Sequence, residues 1–202
     1  MSPAWAGAAP VILVMGDSLS AAYGMAQNQG WVSLLKQRLA EHDHAMTVVN
    51  ASISGETTRG GRTRLAQHLH HHTPAIVILQ LGGNDGLRGI ALDEMQENLA
   101  AMIRQAHAHQ AQVLLVGVDL PPNYGPVFTQ RFAAVYQTLA QNYTVDLVPS
   151  LLADVAENWD LMQADGIHPT AEAQPLMLDT VWAALSPQLA LLHPADTAIP
   201  TH

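Results

Sequence analysis

Short β-rich apolar runs alternate with longer amphipathic stretches along this chain, and this alternation constrains the fold more than any other feature. The β-rich runs lie at residues 11–15, 47–50, 76–80, 113–118 and, more weakly, 145–148. Between them, apolar residues recur at helical spacings of three and four over residues 31–41, 58–71, 92–109, 129–142 and 171–185. Repeated βα units predict an α/β protein, with a five-stranded parallel sheet covered by helices on both faces.

The length and composition predict a single domain. The chain has 202 residues, of which 49% are hydrophobic, and this is enough for one substantial core. We expect that domain to span residues 11–188. Residues 1–10 are expected to be the remnant of a signal peptide or a flexible start. Residues 189–202 are expected to be a loose tail, because prolines recur from Pro187 onward and the apolar pattern ends near Leu185.

The charge and the absence of cysteine exclude several classes of function. Eight Lys and Arg residues against seventeen Asp and Glu residues give a net charge of −9, which disfavours nucleic acid as a partner. The basic cluster Arg59, Arg62 and Arg64 is interpreted as a solvated helix face, and the alternative is an anion-binding role. Without cysteine there is no disulfide, thiolate catalysis or thiolate metal site. Uninterrupted apolar runs fall short of roughly 18 residues, so stable membrane insertion is not expected.

The first residues leave two interpretations of location open. Residues 4–6, Ala-Trp-Ala, followed by Gly-Ala-Ala, are typical of the small-residue end of a secretory signal. This favours a periplasmic or secreted protein. The alternative is a disordered Ala-rich start on a cytoplasmic protein.

The polar segments that can carry chemistry all follow predicted strands. They are Gly16-Asp17-Ser18, the segment 51–56, Gly82-Gly83-Asn84-Asp85 and the segment 119–124. The carboxyl ends of parallel strands meet at one edge of a sheet, and ligands of open α/β sheets bind there. The segments are therefore expected to converge on one site.

Ser18, Asp165 and His168 are the candidate catalytic triad. A serine hydroxyl needs a base within hydrogen-bond reach and a carboxylate that orients the base. In Asp165-Gly166-Ile167-His168-Pro169, the glycine permits a tight turn that lets the carboxylate reach the imidazole. The alternatives are a helix N-cap serine and a capping aspartate beside a surface histidine. Ser20 is assigned a structural role.

An oxyanion hole is the further requirement of acyl transfer. The candidate donors are the backbone N–H of Ser18, Gly55 and the side-chain amide of Asn84; alternatively, each is a simple turn residue. Asp17 and Asp85 are expected to tie down their own loops. The histidines at 68, 70, 71 and 72 lack a metal-ligand pattern. They are interpreted as residues at a helix C-terminus, where partial positive charge is favourable, rather than as a metal site.

Taken together, the four blocks around Ser18, Gly55, Asn84 and His168 resemble the GDSL or SGNH hydrolase family over residues 11–185. The longer strings Gly-Asp-Ser-Leu-Ser-Ala-Ala-Tyr-Gly-Met, Leu-Gly-Gly-Asn-Asp-Gly-Leu-Arg-Gly and Asp-Gly-Ile-His-Pro-Thr-Ala-Glu-Ala-Gln-Pro are similar to its branch of bacterial thioesterases, lysophospholipases and arylesterases. The resemblance implies a three-layer, flavodoxin-like α/β/α sandwich and no cofactor. It implies Ser18 as nucleophile, Asp165 and His168 as its partners, and an oxyanion hole of Ser18, Gly55 and Asn84. By analogy, Leu87, Ile90 and Leu120 contact the acyl chain.

The leading hypothesis is a monomeric serine esterase that hydrolyses esters and thioesters through an acyl-enzyme on Ser18. The substrates implied are acyl-CoA-type thioesters, aryl esters and lysophospholipids. One alternative is a carbohydrate O-acetylesterase of the same fold, which an acyl-length profile would distinguish. A noncatalytic binding module is the alternative from another class, and it would not react with a serine-directed fluorophosphonate.

Overall fold

A five-stranded, fully parallel sheet forms the centre of the molecule. The computed structural model describes residues 9–192. The strands run in the order β2-β1-β3-β4-β5, and all four neighbouring pairs are parallel. All five predicted strands are confirmed: β1 (Val11–Gly16), β2 (Thr47–Asn50), β3 (Ile76–Gln80), β4 (Gln112–Val116) and β5 (Asp146–Val148).

Helices cover both faces of the sheet and complete the predicted three-layer sandwich. Helices α1 and α6 pack together on one face, and α2, α4 and α5 pack in a row on the other. Their bounds are α1 (Trp31–Glu41), α2 (Thr58–His72), α3 (Gly83–Leu87), α4 (Leu92–Ala108), α5 (Pro126–Tyr143) and α6 (Gln174–Leu192).

The two strands at the middle of the sheet are the most deeply buried. Every residue of β3 is buried, as is β1 from Ile12 to Gly16. Continuous apolar runs of this kind are typical of parallel strands covered on both faces. Strand β1 pairs with β2 on one side and with β3 on the other, so the strand order reverses beside β1. A reversal of this kind opens a crevice at the carboxyl ends of the two strands.

The C-terminal helix differs from the sequence prediction. Helix α6 continues through Pro187 to Leu192, whereas an irregular chain was expected after Leu185 and a loose tail from residue 189. Tertiary contacts compensate for the hydrogen bond that proline removes. Leu189 is fully buried, and the Gln188 side chain donates a hydrogen bond of 2.7 Å to Asp146 of β5. The rest of the expected tail, residues 193–202, lies outside the described residues, as do residues 1–8 of the expected signal remnant.

Two other helices also differ from the sequence prediction. Helix α5 begins at Pro126, three residues before the predicted start, because proline is well suited to the first helical position. The short helix α3 lies in a polar segment for which the sequence predicts no helix. Gly82 makes the turn into α3 with φ of 122°, and a Cβ at this position would collide with the hydroxyl of Tyr136.

One described segment, Ala171–Leu192, is long and apolar enough by length and composition to cross a membrane. In the fold, Met177, Val181 and Leu185 of this segment are buried, and the helix packs against β4, β5 and α1.

Candidate active site

Ser18 lies in a tight turn just beyond the carboxyl end of β1. Backbone N–H groups of Ser20 and Ala21 both donate to the carbonyl of Asp17, at 3.2 and 3.0 Å. The Asp17 carboxylate also accepts the N–H of Leu19 at 3.0 Å. These bonds hold the turn that presents the Ser18 hydroxyl at the edge of the sheet.

Ser18, His168 and Asp165 form a continuous hydrogen-bonded series. The Ser18 Oγ lies 2.9 Å from His168 Nε2, and His168 Nδ1 lies 2.7 Å from Asp165 Oδ2. The structure therefore brings Ser18 to the Asp165–His168 pair, although 150 positions separate the serine from the histidine.

Asp165 and His168 occupy the tip of a short hairpin-like loop between β5 and α6. Met162 and Pro169 form an isolated antiparallel bridge at its base. At the tip, Asp165 Oδ1 accepts the backbone N–H of Ile167 at 2.9 Å and that of His168 at 3.0 Å. Burial opposes the charge of Asp165, but hydrogen bonds from the backbone and ring of His168 and from Ile167 outweigh it and lower the pKa of Asp165 from 3.8 to about 2. The carboxylate therefore stays ionised at all ordinary pH values.

A buried polar cluster supports the Ser18 turn from below. It consists of Asp17, Ser20 and Gln80, which are at most 2% exposed. The Gln80 side chain donates to Asp17 at 3.2 Å and accepts the Ser20 hydroxyl at 2.6 Å. Burial raises the pKa of Asp17 from 3.8 to about 6, although hydrogen bonds from Leu19 and Gln80 and the nearby His168 lower it. Ser20 thus lies in the structural support of the turn, and Asp17 ties down its own loop as expected.

The expected oxyanion donors follow β1, β2 and β3. Among residues 9–192, the backbone N–H groups of Ser18 and Gly55 have no hydrogen-bond acceptor. The Asn84 side chain donates one N–H to Asp17 Oδ2 at 3.5 Å. Gly55 is linked to the α3 region by Arg88, whose guanidinium donates to the Gly55 carbonyl at 2.9 Å.

Two expectations about charged residues near the Gly55 loop need correction. Arg64 was interpreted as part of a solvated face, but it donates to Glu56 at 2.8 Å and to the carbonyl of Ala51, and so braces this loop. Asp85 was expected to tie down its own loop. Its carboxylate instead binds the backbone N–H and hydroxyl of Thr58, at 2.9 and 2.5 Å, and thereby joins α3 to the start of α2.

A cleft of about 840 Å³ opens beside Ser18 and His168. Its apolar lining includes Leu87, Val118, Leu120, Leu152 and Met162. Two of the three predicted acyl contacts, Leu87 and Leu120, are therefore on the cleft wall.

The third predicted contact, Ile90, is not among the residues that line this cleft, and its contact with substrate stays a prediction. The chain reverses at Gly89, and the N–H of Ile90 returns to the carbonyl of Asp85 before α4 begins. That turn separates Ile90 from the segment that reaches the cleft.

Sequence reasoning missed three residues around the cleft. The ring of Tyr23 lies 4.3 Å from the ring of His168. Trp159 lines the cleft with 77% of its surface exposed. The side chain of Gln163 bonds to the carbonyls of Tyr23 and Pro169. No local sequence pattern distinguished these residues. Tyr23 and Gln163 contact partners that are distant in sequence, and Trp159 is exposed to solvent.

A parallel sheet with a hydrogen-bonded serine, histidine and aspartate at its carboxyl edge defines a class of α/β hydrolase. The model of the GDSL-like Lipase/Acylhydrolase family matches residues 14–175 of this chain. The chain belongs to that family, as its four sequence blocks predicted, and it is an ester hydrolase.

The curated relatives carry esterase names. Esterase TesA of Pseudomonas aeruginosa is 50% identical over 182 residues, covering 90% of each chain. An arylesterase of Vibrio mimicus is 43% identical over 170 residues, covering 84% of this chain and 85% of the relative. Thioesterase 1/protease 1/lysophospholipase L1 of Escherichia coli K12 is 40% identical over 182 residues, covering 90% of this chain and 86% of the relative.

Solved structures agree with the fold. The crystal structure of TesA superposes with a TM-score of 0.86 at 50% identity, covering 88% of this chain and 98% of TesA. That of AlinE4, an SGNH-hydrolase family esterase, superposes with a TM-score of 0.75 at 35% identity, covering 94% of this chain and 99% of AlinE4.

Proposed function

We propose that this protein hydrolyses esters and thioesters by acyl transfer to Ser18. The observation that carries the proposal is the hydrogen-bonded series from Ser18 Oγ to His168 Nε2 at 2.9 Å and from His168 Nδ1 to Asp165 at 2.7 Å. Both distances lie within the range that proton transfer and base orientation require.

In the acylation step, Ser18 Oγ attacks the carbonyl carbon of the substrate while His168 Nε2 takes the hydroxyl proton. The tetrahedral intermediate collapses when its bond to the leaving group breaks and His168 gives its proton to the departing alcohol or thiol. Asp165 remains a carboxylate throughout, holds the Nδ1–H tautomer and stabilises the imidazolium.

The negative oxygen of the intermediate is bound by the backbone N–H groups of Ser18 and Gly55 and by the Asn84 amide. Within the described part of the chain the N–H groups of Ser18 and Gly55 have no acceptor, which supports this assignment, since an oxyanion hole requires donors that no other group occupies. In deacylation, His168 removes a proton from water, the water oxygen attacks the acyl carbonyl, and Ser18 recovers its proton as the ester bond breaks.

The cleft supports substrates with an acyl chain longer than acetyl. Its volume of about 840 Å³ and its leucine, valine and methionine walls exceed what an acetyl group needs. We therefore propose acyl thioesters, aryl esters and lysophospholipids as the substrate classes, with Leu87 and Leu120 as acyl contacts. A carbohydrate O-acetylesterase would instead act on acetate esters alone.

The test is hydrolysis of p-nitrophenyl esters from acetate to dodecanoate by the unaltered protein and by Ser18→Ala. Turnover should extend to medium chains and vanish in the variant. Ser20→Ala is the matched control, because its hydroxyl lies two residues away, and it should retain turnover at least about 100-fold above Ser18→Ala. Mass spectrometry after treatment with a fluorophosphonate should find the label on Ser18. Undiminished turnover in Ser18→Ala would refute the mechanism.

We also propose that the protein is an exported monomer. The signal-like residues 4–6 and the exported branch of the family that the sequence resembles support export. Fractionation of cells that express the protein from its native gene would test it, and retention in the cytoplasm would contradict it. Light scattering coupled to gel filtration would test the monomer.

A further inference from the structure

The two halves of the site come from opposite ends of the chain, and one side chain joins them. Ser18 follows β1, whereas His168 lies on the loop before α6. The Gln163 side-chain amide donates from Nε2 to the carbonyl of Tyr23 at 2.9 Å and to the carbonyl of Pro169, also at 2.9 Å. A single amide nitrogen thus bonds to both segments.

Each of these carbonyls is directly coupled to a reacting residue. The backbone N–H of Tyr23 donates to the carbonyl of Ser18 at 3.3 Å. Pro169 immediately follows His168, and the backbone N–H of Gln163 donates to the His168 carbonyl at 2.7 Å. The ring of Tyr23 also packs against the ring of His168 at 4.3 Å. Movement of Gln163 would therefore displace both segments relative to each other.

The Ser18 segment leaves space for this amide. Gly24 has φ of +75°, and a Cβ at this position would collide with Gln163 Oε1. A side chain at position 24 would push the amide away from the Tyr23 carbonyl. The absence of a side chain there permits the close approach of the Gln163 loop.

We propose that Gln163 is a positioning residue that sets the separation of Ser18 Oγ and His168 Nε2. The inference rests on the proposed function, because it assigns a role in that proton transfer. Proton transfer needs heavy-atom separations of about 2.6–3.2 Å, and a displacement of about 1 Å at a reacting pair can cost about 100-fold in rate. Gln163 is not among the residues that line the cleft, so loss of its amide should lower kcat rather than raise KM.

Gln163→Met tests the proposal, because it keeps the length of the side chain and removes both donated hydrogen bonds. With p-nitrophenyl butyrate, kcat should fall about 10- to 100-fold while KM stays within about twofold and the melting temperature falls by only a few degrees. Gln67→Met, on an exposed position of α2, is the matched control and should leave all three unchanged.

Gln163→Glu supplies a readout that a merely structural role would not move. An ionised carboxyl at this position faces two carbonyl oxygens, whereas a protonated one can donate a single hydrogen bond. The ratio of kcat for Gln163→Glu to kcat for Gln163→Met should therefore rise as pH falls from about 7.5 to about 5. The ratio is used because groups present in both variants titrate equally in each and do not affect it. A ratio that does not change with pH would count against the donated bond.

The outcomes distinguish a failure of the positioning role of Gln163 from a failure of the proposed serine mechanism. If Ser18→Ala is inactive but Gln163→Met keeps kcat within about twofold, the positioning role is wrong and the mechanism stands. If Ser18→Ala is active, the mechanism itself fails. If Gln163→Met does not fold, Gly24→Ala replaces it, because a Cβ at position 24 displaces the same amide from the Ser18 side. This variant should likewise lower kcat and leave KM unchanged, and an unchanged kcat would contradict the positioning role.

Discussion

At the scale of single residues, Asn84 has one amide N–H directed at Asp17 and a second without an acceptor among the described residues. Asn84→Ala should lower kcat by about 100-fold or more with little change in KM, because in the proposed oxyanion hole the second N–H interacts only with the charge that develops on the oxyanion. Steady-state kinetics on p-nitrophenyl butyrate measure this. Asn123→Ala removes another amide from the cleft wall and should leave kcat within about threefold. Equal effects of the two variants would contradict the role of Asn84.

The buried carboxyl of Asp17 should make the free energy of unfolding depend on pH. The pKa of this carboxyl is about 6 in the folded state and 3.8 ordinarily, because burial disfavours its charge. The folded state therefore retains a proton that the unfolded state loses, and stability falls as pH rises from about 4 to about 6. The contribution is about 3 kcal/mol at about 1.4 kcal/mol per pKa unit.

Asp17→Asn removes this titration. Urea unfolding of both proteins at pH 4 and pH 7 should show that the unaltered protein loses up to about 3 kcal/mol relative to the variant between these pH values. A difference between the two proteins that is the same at both pH values would show that Asp17 does not titrate in this window.

At the scale of secondary-structure elements, the end of α6 is part of the core. Leu189 is fully buried beyond Pro187, whereas Leu191, two residues later, is 74% exposed. Leu189→Ala should lower the free energy of unfolding by about 2–5 kcal/mol, and Leu191→Ala by no more than about 0.5 kcal/mol. Denaturant unfolding compares the two directly. Similar small losses in both variants would restore the expectation of a loose tail from residue 189.

The elements that sequence placed well are those with a strong local pattern. Strand β3 and helix α1 have the bounds predicted from their apolar runs and spacings. The errors occur where the determining contact is distant. Proline disfavours a helix at position 187, but the hydrogen bond between Gln188 and Asp146, 42 positions apart, stabilises the helix there. Helix α3 is too short for a periodic pattern, and its start depends on the turn at Gly82.

At the scale of the whole molecule, the cleft is assembled from segments after β1, β3, β4 and β5, and Trp159 lies on its rim. Trp159→Ala removes apolar surface that a long acyl chain can cover. It should raise KM for p-nitrophenyl octanoate about 10-fold while KM for the acetate changes less than about twofold. Val127→Ala alters an exposed apolar residue that does not line the cleft and should leave both values unchanged. A uniform effect on all chain lengths would place the acyl group elsewhere.

The sequence by itself determined the parallel α/β class, and it identified Ser18, Asp165 and His168 as the candidate triad. Strand periodicity, the polar segments after strands and the short spacing between Asp165 and His168 are local properties that the chain displays without folding. The position of Ile90, the burial of Asp17 and the bonds of Gln163 were decided only by the tertiary structure. Each depends on contacts such as that of Gln163 with Tyr23, 140 positions away. Packing of the whole chain brings such pairs together, and no local pattern encodes their distance.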